Sequence, residues 1–215
     1  MVLGFEQLQS GAFTGFDRAE FMTKTSGVIH ETPQAQHTLQ LKTGYSHENS
    51  NETYLGLALE DYAANPYLRY PATENANMNW HRTQAELLWD IKIGRNTQIR
   101  TVAYHHFLRR TWTKFNRFSG SINLHEMLQS PTTGQSAVYL DILRGREDSI
   151  SDDQNLMIGT NHREFHSFGL QNRVRMQHTT ETLKNRLEFG LRLHGDAVYR
   201  LHTEDPHRME SGALV

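Results

Sequence analysis

The segment TQAELLWDIKI, residues 83–93, decides the fold. Its odd-numbered positions are mostly apolar, with Ala85, Leu87, Trp89 and Ile91 among them, and its even-numbered positions are mostly polar. A period of two residues indicates a β-strand with one apolar and one polar face. A strand of about ten residues can cross a lipid bilayer when it is tilted. The segment therefore predicts a long strand that divides two different environments.

The same alternation recurs along the chain. The segment LKNRLEFGLRL, residues 183–193, is apolar at Leu187, Phe189, Leu191 and Leu193, with Glu188, Gly190 and Arg192 between them. Weaker alternation occurs at residues 18–24, 39–46, 98–103 and 168–176. Residues 3–8 suggest one further strand. Together these segments predict about seven strands.

The connections between these strands differ in length. Short turns are predicted around residues 94–96 and 178–181 and a somewhat longer turn around residues 32–34, whereas long loops are predicted at residues 49–79 and 111–161. Short turns at one end and long loops at the other are typical of outer-membrane barrels, whose long loops lie outside the cell. We therefore predict an all-β fold: an antiparallel transmembrane β-barrel segment of about seven long strands, forming an incomplete barrel with long extracellular loops.

Aromatic residues near the predicted strand ends fit this interpretation, because tryptophan and tyrosine concentrate at membrane interfaces. Alternation by itself, however, is shared with the strands of a soluble β-sandwich. A soluble sandwich binding module therefore remains an alternative. The residues predicted to form an interfacial belt are Trp80, Tyr104, Phe107, Trp112 and Tyr199.

Composition excludes several classes of protein. The chain has no cysteine, so it can form neither a disulfide nor a zinc–thiolate site. No apolar run approaches the roughly 18 residues of a membrane helix. A net charge of -2 gives no reason to expect nucleic acid as a partner. The Gly-x-Ser-x-Gly, P-loop and Gly-x-Gly-x-x-Gly motifs are all missing, so we do not expect an enzyme.

Two stretches carry a family resemblance. NETYLGL at residues 51–57 and EDYAANPYLRY at residues 60–70 resemble the ETYLGL and DFAANPYRRY segments of TonB-dependent receptors of the ferric dicitrate type. TVAYHHFLRRTWTKFN at residues 101–116 resembles AYRHDFHRTWYKLN of the same family. Shorter similarities extend the resemblance from about residue 15 to residue 209, at residues 143–145, 161–165 and 190–196.

The resemblance implies an outer-membrane receptor that takes up a ferric chelate, either ferric citrate or a siderophore. It also implies TonB as a partner, acting through a plug domain and a TonB box. Neither of these, nor a signal peptide, is recognisable in residues 1–215, and about seven strands are far fewer than the 22 of a complete barrel. We therefore expect residues 1–215 to be a partial barrel domain, a fragment that lacks the plug and the remaining strands. A receptor for another nutrient, such as cobalamin or a sugar, and a passive porin are the alternatives.

Cationic side chains predict where an anionic chelate would bind, because arginine offers a fork of donors that suits carboxylates. The odd or even position of a residue along its strand, which we call its parity, predicts the face on which it lies. Parity and distance from the short turns place five such residues inside the barrel, near its outer end. They are Arg82, His106, Arg110, Arg163 and Arg200.

The 13 histidines are expected mainly in surface loops and not at a metal ion. His162 and His166 share a face of one strand but lie about 13 Å apart, too far for one ion. No His-Glu-x-x-His motif is present. We therefore predict no resident cofactor, and the ferric chelate would be a transported ligand.

Overall fold

The computed structural model describes residues 2–10, 14–132 and 134–215, with side chains from residue 18 onward. Strands make up 61% and helices 14% of the chain. Seven antiparallel strands form one sheet in chain order. They are β1 (Val2–Ser10), β2 (Thr14–Glu31), β3 (Ala35–Ser50), β4 (Asn77–Ile93), β5 (Thr97–Phe118), β6 (Leu156–Thr179) and β7 (Lys184–His207).

The sheet is open, with β1 and β7 as its two edges. The predicted all-β architecture and incomplete barrel are therefore confirmed. The strands are longer than the alternation indicated, since β6 and β7 each have 24 residues. At about 3.3 Å per residue such a strand extends roughly 80 Å, well beyond the 30 Å or so of a bilayer's hydrocarbon core.

The two faces of the sheet differ in chemistry. We call the face that carries Leu87 the apolar face and the face that carries Arg82 the polar face. The apolar band covers residues 83–91 of β4 and the positions paired with them on β3, β5, β6 and β7. These eight steps measure roughly 26 Å along the strand. Large apolar side chains stay uncovered there; Leu191 is 67% exposed.

Three short turns lie at one end of the sheet. Gly94 has a φ of 56°, which favours glycine, and its backbone N–H donates to the Gln34 carbonyl at 2.8 Å. Thr32 and Thr180 each accept a hydrogen bond through the side-chain oxygen from the backbone N–H three residues later, at 3.0 Å. The predicted asymmetry is confirmed, because both long connections leave the opposite end.

The long connections are shorter than predicted and are not structureless. They cover residues 51–76 and 119–155, because β5 and β6 extend further than the alternation suggested. The helices and short strands within and after them are α1 (Leu59–Ala64), α2 (Leu124–Gln129), α3 (Gln135–Leu143), the 3-10 turns Pro71–Thr73 and Asp152–Gln154, β8 (Met209–Glu210) and β9 (Ala213–Leu214).

The loops share a hydrophobic core with the ends of β5 and β6. We call residues 51–76, 119–132, 134–155 and 208–215 the loop cap. Phe118 is fully buried there, with its ring centroid 4.6 Å from that of Tyr139 in an edge-to-face contact. Other fully buried members of this core are Ala58, Ala72, Met127, Leu140, Ile142, Leu143, Leu156 and Met209. The main packed core of the described chain therefore lies at the loop end of the sheet and not between two sheets.

Among the described residues, no helix combines the length and the apolar character needed to cross a membrane.

Candidate ligand-binding row on the polar face

Register places three arginines in one row across the sheet. Arg110 of β5 pairs with Arg163 of β6, and Arg163 pairs with Arg200 of β7. Directly paired side chains have their Cβ atoms about 4.5–5.5 Å apart. Like charges in that position destabilise a sheet. An anion bound between the guanidinium groups would relieve the repulsion.

The arginines of this row have no acidic partner among the side chains that the structure describes. Arg163 donates from Nε to the Asn161 side-chain oxygen at 2.8 Å. Nε of Arg110 is buried and has no hydrogen-bond partner among the described residues. A buried donor without a partner costs free energy, which a bound carboxylate oxygen would recover.

The lower part of the polar face, nearer the short turns, contains several ion pairs. Arg100 lies 2.8 Å from Asp90. Arg173 and Arg175 contact Glu188 at 3.1 and 2.9 Å. The polar face therefore has three arginines in ion pairs in its lower half and a row of three arginines without an acidic partner near the loop cap.

The other two predicted site residues lie on the same face but outside the row. Arg82 pairs with Leu108 and Ser46, one position nearer the short turns on this face. His106 pairs with Gln84 and Ser167, one position further down. The structure thus brings three of the five predicted residues into one row and places the other two below it.

Aromatic rings that were not among the predicted site residues extend the row on one side. Trp80 pairs directly with Arg110. The ring of Trp112 lies 6.0 Å from the Arg110 guanidinium carbon, and Nζ of Lys114 lies 4.8 Å from the same ring. Nζ of Lys114 also lies 4.0 Å from the Tyr54 ring centroid. Cations and rings thus line the loop end of this face.

The five aromatic residues of the predicted belt divide between the two faces of the sheet. Phe107 and Tyr199 lie on the apolar face. Trp80, Tyr104 and Trp112 were misplaced, because they have the parity of the polar face. Tyr104 instead accepts from Arg192 at 2.9 Å and contacts His194 at 2.6 Å.

A buried ion cluster joins the two long loops of the cap. Arg144 contacts Asp61 at 2.9 Å and is also bonded to Glu60 and Asp141. Burial lowers the pKa of Arg144, but its hydrogen bonds to these three carboxylates outweigh burial and raise the pKa above its ordinary value. The Arg144 side chain is 12% and the Asp61 side chain 13% exposed.

Tyr70 and Arg69 anchor the first loop beside this cluster. The Tyr70 hydroxyl donates to Asp61 at 2.6 Å and accepts from the Ala58 N–H at 2.9 Å. Burial and the Asp61 carboxylate together raise the pKa of Tyr70 well above its usual range. Arg69 donates to backbone carbonyls, including that of Ala76 at 2.6 Å. These hydrogen bonds anchor the first loop within the cap.

The prediction that the histidines lie mainly in surface loops is wrong. His47, His81, His105, His162 and His166 belong to strands, and register places all of them on the apolar face. No group of three or more metal-ligating side chains occurs among the described residues.

Comparison with models of protein families and with curated proteins gives no match for this chain.

Proposed function

We propose that this sheet is a section of an outer-membrane β-barrel of a Gram-negative bacterium, belonging to a TonB-dependent receptor that takes up a ferric chelate. The apolar face would contact lipid, and the polar face would line the lumen. The long loops would lie outside the cell. The resemblance of residues 51–70 and 101–116 to ferric dicitrate receptors supports the family, and TonB and the plug follow from that resemblance alone.

The observation that carries the proposal is the row of Arg110, Arg163 and Arg200. Ferric citrate is an anion with several carboxylates, and guanidinium groups bind carboxylates through paired hydrogen bonds. A neutral sugar would leave the repulsion within the row unrelieved, so the row favours an anionic chelate over that alternative. A passive porin would not need a row that binds its solute in a saturable way.

The test is a titration of the full chain in dodecyl maltoside micelles with ferric dicitrate. Trp80 lies beside Arg110, and Trp112 lies close to it, so a ferric chelate in the row should quench their fluorescence. We expect saturable quenching and an affinity about tenfold lower in Arg163→Gln, since a charge-assisted hydrogen bond contributes about 1.5–3 kcal/mol.

The matched control is Arg186→Gln, on the polar face near the short turns, where Arg186 pairs with Gln177. This variant should bind like the unmodified chain. Quenching that does not saturate, or an equal loss of affinity in both variants, would count against a chelate site in the row.

A further inference from the structure

A second basic row lies on the opposite face of the sheet. His47 of β3 pairs with His81 of β4, and His81 pairs with Arg109 of β5. Arg109 is exposed, and its Nε lies 3.7 Å from Oε1 of Glu164. The same oxygen lies 3.4 Å from Nε2 of His162. One carboxylate thus faces two basic groups, whereas His47 and His81 contact no acidic side chain among those that the structure describes, so their ring nitrogens are available to an anion.

This row marks the upper boundary of the apolar band. Aromatic rings lie among its members: the Tyr45 ring centroid is 5.7 Å from that of His47, and the Phe107 centroid is 5.6 Å from that of His81. Rings mixed with basic side chains at the edge of an apolar band are typical of the level at which lipid headgroups lie. The row therefore has the position of a headgroup site and not of a site within the hydrocarbon.

An apolar groove of about 600 Å³ lies below the row on the same face. Its lining includes the small residues Ala85 and Ala103. Larger side chains line it as well, including Leu87 and Phe168, whose ring lies over Gly195. Ala85 and Leu87 are four and six residues below His81 on β4, roughly 13 and 20 Å along the strand. That distance is within the length of an acyl chain whose headgroup lies at the row.

We propose that this face binds one phosphorylated, acylated lipid, with its phosphate on the row of His47, His81 and Arg109 and an acyl chain in the groove. The inference rests on the proposed membrane placement and adds a site outside the lumen. The Arg109 guanidinium and two histidines without an acidic partner favour an anionic headgroup, and the groove favours an acylated molecule over free phosphate. The lipid would fill a depression in the wall that the side chains of the sheet leave open.

Trp89 provides the readout, because it lies on the apolar face two positions from Leu87, whereas Trp80 and Trp112 lie on the polar face. The full chain in dodecyl maltoside is titrated with phosphatidic acid whose acyl chains are brominated near their ends. Diacylglycerol with the same chains tests the need for phosphate, and inorganic phosphate tests the need for acyl chains. Trp89→Phe checks that the quenched fluorescence comes from this position.

We expect phosphatidic acid to quench at a lower mole fraction than diacylglycerol. Arg109→Gln should reduce this preference about fivefold, the usual contribution of one basic residue near an anionic surface. His47→Gln, His81→Gln and Arg109→Gln together should abolish it. Ala103→Leu, which fills the groove, should weaken both lipids equally. The matched control Lys92→Gln, at the short-turn end of the polar face, should change nothing.

Equal quenching by the two lipids, or a preference that survives the triple substitution, would overturn the proposal. Full competition by inorganic phosphate would assign the row to a free anion. If self-association of the chain protects Trp89 from quenching, the groove belongs to a second copy of the chain. Flotation with phosphatidylcholine vesicles separates the two proposals. A chain that stays in the aqueous phase contradicts the membrane placement, whereas a chain that floats without phosphate preference contradicts only the lipid site.

Discussion

Leu170→Arg is expected to destabilise the membrane-inserted chain by about 2–4 kcal/mol, the cost of an arginine at the lipid face near the middle of a bilayer. Leu170 pairs with Ala103 and Leu193 in the middle of the apolar band, and it is 48% exposed. In lipid the guanidinium would lose its water with no anion to replace it. The measurement is equilibrium unfolding in urea from phosphatidylcholine vesicles.

The matched control is Gln171→Arg, the same change at the next residue of β6. Gln171 pairs with Val102 and Arg192 on the polar face, where we propose that water fills the lumen. An arginine there should change the free energy of unfolding by less than about 1 kcal/mol. Equal destabilisation by the two variants would show that the faces do not differ in their surroundings.

Arg144→Met is expected to destabilise the loop cap by about 3–5 kcal/mol, the usual cost of removing one partner of a buried ion pair. Methionine keeps the apolar stem of Arg144 but leaves the carboxylate of Asp61, 13% exposed, without its cation. Amide exchange in α3 should therefore become much faster, because the cap would open more often. Hydrogen exchange of residues 135–146, read by mass spectrometry, measures this.

Arg146→Met is the control for that experiment. Arg146 also contacts Asp141, at 3.5 Å, but its side chain is 64% exposed. Exposed ion pairs contribute roughly 0–1 kcal/mol, so exchange should change little. Adding Asp61→Asn to Arg144→Met should recover part of the loss, since the most buried of the three carboxylates is then no longer charged and unpaired. Equal exchange in the two single variants would rule out a structural role for the buried cluster.

The strands and their faces could be predicted from sequence because alternation is a local property. Residues 83–93 fall within β4, and residues 184–193 fall within β7 with the expected parity. Parity also places Arg82, His106, Arg110, Arg163 and Arg200 on one face. It could have placed Trp80, Tyr104 and Trp112 as well, since Trp80 has the parity of Arg82.

Register could not be predicted from parity. Whether Arg110 faces Arg163 or a residue two positions away depends on how the 37 residues between β5 and β6 fold. A bulge between Phe115 and Arg117 also shifts the pairing at the end of these strands. The register that aligns the row of arginines, and the basic row on the other face, therefore depends on how the loops fold as well as on the strands.

The loop cap was missed for a similar reason. Its core joins Phe118, Leu140 and Leu156 with Ala58 from the other loop. The helices that contribute to it are short, and α3 has nine residues. An apolar segment of that length does not reveal whether it is a helix, a strand or a loop, because only its distant partners decide. The burial of Arg144 beside Asp61, 83 residues earlier in the chain, has no local signal at all.

The most direct test of the central claim, that the apolar face contacts lipid and the polar face contacts water, is a nitroxide scan of β4. The chain has no cysteine, so a single cysteine can carry the label at each of residues 83–90 in turn. In phosphatidylcholine vesicles, collision with oxygen should peak at 83, 85, 87 and 89. Collision with a water-soluble nickel chelate should peak at 84, 86, 88 and 90. Two profiles that rise and fall together, or nickel access at every position, would contradict the membrane placement.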